Sequence, residues 1–135
     1  MKRAGFTMIE LIFVIVILGI LSAVALPKFL GVSEQAQAGK CQAFVGTLNR
    51  TVGPAMWSNS IMQGDEGKLL TTFTDAPGVR AEIQRQIDIP AECDNDANTT
   101  YSVGSVEITI GEQIYDANFT DGNATSAPVW TWTQQ

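Results

Sequence analysis

Residues 5–21, GFTMIELIFVIVILGIL, decide the fold of this chain, and the apolar run that they open continues to Leu26. From Phe6 to Leu26 the chain has 21 residues, of which only Glu10 is charged. A helix of that length measures about 31 Å, which matches the hydrocarbon core of a bilayer. A carboxylate costs about 2.5 kcal/mol or more at the membrane centre and less near the interface. The sequence therefore predicts a membrane-spanning helix in which Glu10 has a function.

A short basic segment precedes this helix and carries Lys2 and Arg3. Positive charges beside a span favour the cytoplasmic side, so everything after Leu30 is expected outside. A secretory signal peptide is cleaved after its apolar stretch, whereas here the small residue Gly5 stands before it. We therefore expect cleavage between Gly5 and Phe6, which removes a leader of residues 1–5 and retains the helix.

This N-terminus, read as far as Phe29, closely resembles the type IV pilin and type II secretion pseudopilin family. The resemblance implies that a prepilin peptidase cleaves after Gly5 and methylates the new N-terminal residue, Phe6. It covers roughly the first 30 residues. For the rest of the chain it implies only an architecture, a long helix packed on a small antiparallel sheet, which is called the pilin ladle.

The resemblance also gives roles to positions inside the helix. Gly19 and Pro27 fall on the family's helix-loosening positions. Glu10 needs a positive partner once it is buried among helices, and the best candidate is the α-amino group of Phe6 on a neighbouring subunit. The implied product is a homo-oligomeric helical filament, because head-to-tail contacts that do not close generate a filament rather than a ring.

Composition bounds the remainder, which is long enough for one small domain. The formal net charge is −6 and becomes more negative without the leader, so bulk nucleic-acid binding is not expected. The chain contains no histidine, and it has neither a GxSxG motif nor a phosphate-binding glycine loop. These observations argue against an enzyme, and we assign no catalytic residue, cofactor or metal.

A helical pattern resumes after Pro27. Its apolar residues recur at three- and four-residue steps, as on one face of an amphipathic helix. We therefore predict one long helix from about Phe6 to Val52 that Pro27 can kink, with its end or a second bend at Gly53-Pro54. The positions on the apolar face are Cys41, Phe44, Val45, Leu48, Val52 and Met56.

Turn residues and alternating patterns predict the remaining elements and an α+β fold. Short connections between the strands favour antiparallel pairing, Gly104 suggests a bulge, and Trp130 and Trp132 should share one face. The predicted domains are the leader (1–5), a membrane-spanning assembly helix (6–30) and a globular domain that includes the amphipathic half of the helix (31–135). In chain order, the elements after the long helix are a loop over 58–67, a helix capped by Asp75 that ends before Pro90, a loop over 91–100, and strands over 101–110, 113–119 and 128–133.

The two cysteines, Cys41 and Cys93, lie on the predicted outer side, where the environment is oxidising. They do not form a CxxC pair, so the usual zinc and thiol-redox patterns are absent. We predict a disulfide that ties the loop after the second helix to the long helix. Closing a loop of that length is worth roughly 4 kcal/mol in the chain-entropy model. The alternative is a pair of buried free thiols.

Three pentapeptides, each with an Asp two residues before the Asn, fit the N-x-[ST] acceptor for glycosylation. Their asparagines are Asn98, Asn118 and Asn123. In a segment rich in Asp, Asn and Thr such matches also arise by chance, so glycosylation stays open.

Residues 94–98 place oxygen side chains at alternate positions, as at the start of a calcium loop. An EF-hand would need Gly where Thr99 stands and Glu where Ser105 stands, so that motif is broken. A calcium site of another kind and a plain turn rich in Asp and Asn both stay open.

The function that the sequence favours is a structural subunit of a type IV pilus, made as an inner-membrane precursor with a cytoplasmic N-terminus. Its expected partners are the prepilin peptidase, the inner-membrane assembly machinery of a pilus or type II secretion system, and copies of itself. Major pseudopilin of a type II secretion system is the nearest alternative, in a periplasmic pseudopilus rather than a surface pilus. A membrane-anchored binding module is an alternative of another class. It would tolerate loss of the Glu10 carboxylate without losing its activity.

Overall fold

The computed structural model describes residues 5–94 and 104–135. Two compact units divide the chain, the first ending at Gln35 and the second running from Ala36 to Gln135. We call them the N-terminal unit and the head unit.

The predicted long helix is confirmed. Helix α1 spans Met8–Thr47, is followed without a break by a π-helical turn at Leu48–Val52, and continues as α2 at Gly53–Gln63.

The helical segment runs further than the sequence predicted. The expected helix end at Gly53-Pro54 is wrong, because α2 continues to Gln63. The expected loop over 58–67 is wrong for residues 58–63, which are helical. Pro54 lies in the first turn of α2, where its missing N–H and fixed φ are tolerated. The helix ends instead at Gly64, whose φ of 88° supplies the left-handed C-cap.

Two short elements and one further helix follow: α3 at Leu69–Thr72, α4 at Asp75–Gln86 and a 3₁₀ turn at Ala91–Cys93. The helix expected before Pro90 is therefore confirmed, but the predicted cap is wrong. Asp75 has a φ of 73° and Thr74 before it a φ of 57°, so Asp75 is not in the extended conformation that a capping residue needs. No side chain caps this helix at its N-cap position, Thr74.

Three antiparallel strands form one sheet in the order β1-β2-β3, which confirms the predicted pairing. Gly104 lies directly before β1 with a φ of 43°. Tyr101 and Val103 lie outside the described residues, so the bulge stays a prediction. The strands are β1 at Ser105–Ile110, β2 at Gln113–Thr120 and β3 at Val129–Gln134.

The core lies between the helical segment and the inner face of this sheet. All six positions of the predicted apolar helix face are buried, none more than 7% exposed. Trp130 is buried and Trp132 half-buried on the same face of β3, as predicted, and their rings pack against Phe119 and Tyr115 of β2. The fold is therefore α+β, with the helix packed against a small antiparallel sheet. The buried apolar residues that β1, β2, α3 and α4 contribute are Ile108, Ile110, Tyr115, Ala117, Phe119, Leu69, Val79 and Ile83.

Candidate assembly helix and the head unit

The first half of α1 exposes almost all of its apolar surface. Phe6 is 84% exposed and Phe29 71%, and the large aliphatic side chains between them are exposed as well. Among the described residues, one helical segment, Met8–Gln63, is long and apolar enough to cross a membrane, and its most apolar window has no buried residue. A surface of this size and polarity is stable only against lipid or other apolar side chains.

Thr7 and Glu10 form a reciprocal cap at the start of this helix. The Glu10 N–H donates to Thr7 Oγ1 (3.3 Å), while the Thr7 N–H donates to Glu10 Oε2 (3.2 Å). The Thr7 hydroxyl also donates to Glu10 Oε2, at 2.9 Å. The Thr7 carbonyl accepts the first intrahelical bond, from Leu11 N–H (3.2 Å). This is a capping box, which satisfies two backbone donors that otherwise lack partners in a helix end.

The capping box leaves one oxygen of the Glu10 carboxylate available for a further hydrogen bond. Both bonds from Thr7 go to Oε2 of Glu10, and Oε1 accepts no hydrogen bond from any residue in 5–94 or 104–135. A carboxylate offers about four acceptor sites, so this one can keep its own helix capped and still accept a cation. The role of Thr7 was not predicted from the sequence, although the pattern Thr-x-x-Glu before an apolar run indicates a capping box.

The other predicted positions of this segment lie along the same stretch of chain. Gly5 and Phe6 are exposed and precede α1, so the predicted cleavage bond is not part of the helix. α1 is continuous through Gly19 and Pro27 in the single chain. Cleavage, methylation and loosening during assembly stay predictions.

The head unit contains the predicted disulfide. Cys41 on α1 and Cys93 in the 3₁₀ turn are bonded, with their Cα atoms 5.3 Å apart, and both are fully buried. Lys40 and Glu92 are the adjacent residues, and Lys40 Nζ donates to Glu92 Oε1 at 2.7 Å. That hydrogen bond, helped by one from the backbone, lowers the pKa of the Glu92 carboxyl below its ordinary value of 4.5. The turn is thus fixed to the helix by a covalent bond and by an ion pair beside it.

A second ion pair follows the same turn. Arg80 on α4 donates from Nη2 to Oδ2 of Asp94, and both side chains are about nine-tenths buried. Each charge of such a buried pair needs the other, because removing one partner leaves the other charge buried without compensation. Asp94 is also the first residue of the calcium loop that the sequence left open. Residues 95–98 lie outside the described residues, and within the described ones no group of three or more His, Cys, Asp or Glu could hold a metal.

The three glycosylation candidates stand in different settings. Asn118 is half-buried in the central strand β2, where it pairs with Ser105 of β1 and Thr131 of β3. Asn123 is exposed in the loop between β2 and β3. Asn98 lies outside the described residues.

Two comparisons with known proteins bear on the N-terminal segment. Residues 1–26 match the family model described as the prokaryotic N-terminal methylation motif. The chain is also 49% identical over 43 residues to a curated relative from Thermus thermophilus, the type IV narrow pilus major component PilA5. That match covers 32% of this chain and 37% of the relative's length. No solved structure matches. These findings confirm the resemblance of the N-terminus to the type IV pilin and pseudopilin family.

Proposed function

We propose that this chain is a structural subunit of a type IV pilus filament. The observation that carries the proposal is the exposed apolar helix of the N-terminal unit, which begins in a methylation motif and contains one acid beside its start. Such a helix is stable in lipid as a precursor and, once out of lipid, must bury its apolar surface against copies of itself. The Thermus thermophilus relative is a component of a type IV pilus, and we therefore propose a pilus, with a pseudopilus as the alternative.

Processing is the first step of the proposal. A prepilin peptidase removes residues 1–5 and methylates the amine of Phe6, which keeps its positive charge. The mature subunit stays in the inner membrane with its N-terminus cytoplasmic and its head outside, until the inner-membrane machinery extracts it into a filament.

Glu10 acts in the second step, the docking of one subunit on the next. Its Oε2 stays engaged with Thr7, and its Oε1 accepts the Phe6 ammonium of the neighbouring subunit. Because the capping box already fixes the carboxylate at the helix start, docking does not have to order it. Removing one member of a buried charge pair typically costs about 3–5 kcal/mol, since the other charge is left without a partner.

Three variants separate the charge of Glu10 from its capping role. Glu10→Gln keeps an oxygen for the Thr7 N–H, because Gln also serves in a capping box, but it removes the charge. Thr7→Val removes the capping hydroxyl and keeps the charge. Glu10→Ala removes both functions.

Filament yield is measured as the fraction of subunit that is sheared from cells, and membrane insertion and intact mass are measured on the same samples. We expect Glu10→Gln and Glu10→Ala to be inserted and processed but to lose at least ten-fold in filament yield, and Thr7→Val to assemble within a few-fold of wild type. Normal filaments from Glu10→Gln together with failure of Thr7→Val would show that capping, not charge, is what assembly needs. A mature mass that includes residues 1–5 would refute the processing step.

A further inference from the structure

The loop between β2 and β3 presents Asn123 in a fixed conformation. Its backbone N–H donates to the Ser126 carbonyl at 2.9 Å, and the Ser126 N–H donates back to the Asn123 carbonyl at 3.4 Å. The indole N–H of Trp57 donates to the same Asn123 carbonyl, at 2.8 Å. Asn123, Ala124, Thr125 and Ser126 are nevertheless all exposed. The loop is therefore held at its base while its tip is open to solvent.

The side chain of Asn123 is oriented by its oxygen. Oδ1 accepts from the Thr125 N–H (2.9 Å), the Thr125 hydroxyl (3.0 Å) and the Ser126 N–H (2.9 Å). Nδ2 makes no hydrogen bond with any residue in 5–94 or 104–135, so the amide nitrogen is the end of the side chain that faces solvent. The Thr125 hydroxyl of the N-x-T sequence is therefore already hydrogen-bonded to the side chain of Asn123.

We propose that Asn123 is the acceptor for an N-linked oligosaccharide on the head unit. In the transfer, Nδ2 attacks the anomeric carbon of an oligosaccharide carried on a lipid diphosphate. The bond from that carbon to the diphosphate oxygen breaks, the lipid diphosphate leaves with the electron pair, and the amide loses one proton to a base of the transferase. No oxidant or reductant takes part.

Asn118 is the matched competitor, because it has the same N-x-T pattern with an Asp two residues before it. A transferase must hold the Asn and the Thr in one cleft, so the backbone between them has to leave its own partners. At Asn118 that backbone belongs to a strand paired on both sides, and its ladder hydrogen bonds would be lost. At Asn123 the chain is outside the sheet, and the bonds that would be lost are the local ones of its own turn and the one from Trp57. The fold therefore selects Asn123 over Asn118.

The acid before Asn123 has another task. The carboxylate of Asp121 accepts from Leu69 N–H (2.8 Å), Leu70 N–H (3.3 Å) and Gly122 N–H (2.8 Å), which caps the start of α3. These three bonds fix the Asp121 carboxylate against the start of α3, so its role in this structure is in the fold. Recognition then depends on Asn123 and Thr125, and the fitting enzyme is one that needs only N-x-[ST].

The test uses the full-length chain in detergent, with its disulfide intact, an oligosaccharyltransferase that requires only N-x-[ST], and a lipid-linked oligosaccharide. An Asn98→Gln background removes the acceptor that lies outside the described residues. Intact mass and glycopeptide sequencing should show one glycan, at Asn123. Thr125→Ser should retain it, whereas Thr125→Val, which is nearly isosteric but lacks the hydroxyl, should lose it. Asn118→Gln should change nothing.

Modification at Asn118 in preference to Asn123, or an unmodified chain, would overturn the proposal. In cells, transfer also rests on the proposed outward position of the head, so the same chain is expressed in a bacterium that carries the transferase. Glycan at Asn123 there supports both proposals. Transfer to the purified chain without transfer in cells, where protease accessibility reports the side on which the head lies, would contradict the outward topology and leave the acceptor assignment standing.

Discussion

Replacing Asn49 by alanine should destabilise the head unit more than any other exposed or half-buried polar substitution in the π-helical turn. Trp130 is only 1% exposed and lies on β3, an edge strand. Asn49 Nδ2 donates to the Trp130 carbonyl (2.7 Å), and the Trp130 N–H donates to Asn49 Oδ1 (2.8 Å). One side-chain amide thus bonds both the N–H and the carbonyl of a buried residue on an edge strand.

The expected loss follows from these two bonds. Removing the hydrogen-bond partner of a buried backbone group costs about 1–3 kcal/mol. Asn49 itself is only half-buried, so water reaches the site in the variant and restores part of the loss. We therefore expect Asn49→Ala to lower the free energy of unfolding by about 2 kcal/mol. The assay is urea titration of the full-length chain in detergent, followed by tryptophan fluorescence.

Asn59 is the matched control. It is exposed on α2, and its Oδ1 accepts one bond from the Gln63 side chain at 2.8 Å. Asn59→Ala should change stability by no more than about 0.5 kcal/mol. Asn49→Asp keeps one acceptor but turns an oxygen toward the Trp130 carbonyl, so at neutral pH it should be no more stable than Asn49→Ala. An Asn49→Ala chain that unfolds with the Asn59→Ala chain would refute the reasoning.

Three further outcomes are expected in the same titration. Gly53→Ala places a Cβ 2.7 Å from the Trp130 ring. The overpacking should cost about 1–3 kcal/mol and exceed the gain of about 1 kcal/mol in helix propensity, so the variant should be less stable. An unchanged urea midpoint would contradict this prediction. Reducing the disulfide, which links residues 52 positions apart, should cost about 3–4 kcal/mol, and equal midpoints with and without reductant would contradict that. Glu92→Gln should lower the melting temperature slightly at neutral pH. Because Lys40 lowers the pKa of Glu92 in the folded chain, the difference is present above pH 4.5 and should vanish as pH falls through the lowered pKa, so a difference that persists in acid would contradict it.

The parts of the fold that the sequence predicted are those that depend on local periodicity. The apolar face of the long helix follows from the three- and four-residue steps that begin at Cys41, and the structure buries every one of its positions. The strands follow from alternation between turn residues, and the disulfide from two cysteines on the same side of the predicted membrane span. The helix face and the strands follow from patterns within a few residues, and the disulfide follows from the presence of only two cysteines.

The parts that the sequence did not predict depend on contacts distant in the chain. Gly53-Pro54 indicates a helix end by local rules, yet packing of Met56 and Ser60 in the interior carries the helix ten residues further. The π-helical turn changes the phase of the helix just where Asn49 meets β3, which is 81 residues away. No local pattern marks that meeting.

The two units separate the chain's stability from its proposed assembly. Among residues 5–94 and 104–135, no buried core residue of the head unit precedes Cys41, and no large apolar side chain from Phe6 to Val32 is buried. Substitutions in the N-terminal unit therefore remove nothing from the core on which unfolding of the head depends. This separation makes the Glu10 variants interpretable. A filament defect with an unchanged urea midpoint cannot be attributed to misfolding of the head unit. Where insertion and processing are also normal, the defect points to the proposed contact between the helix start and the neighbouring subunit.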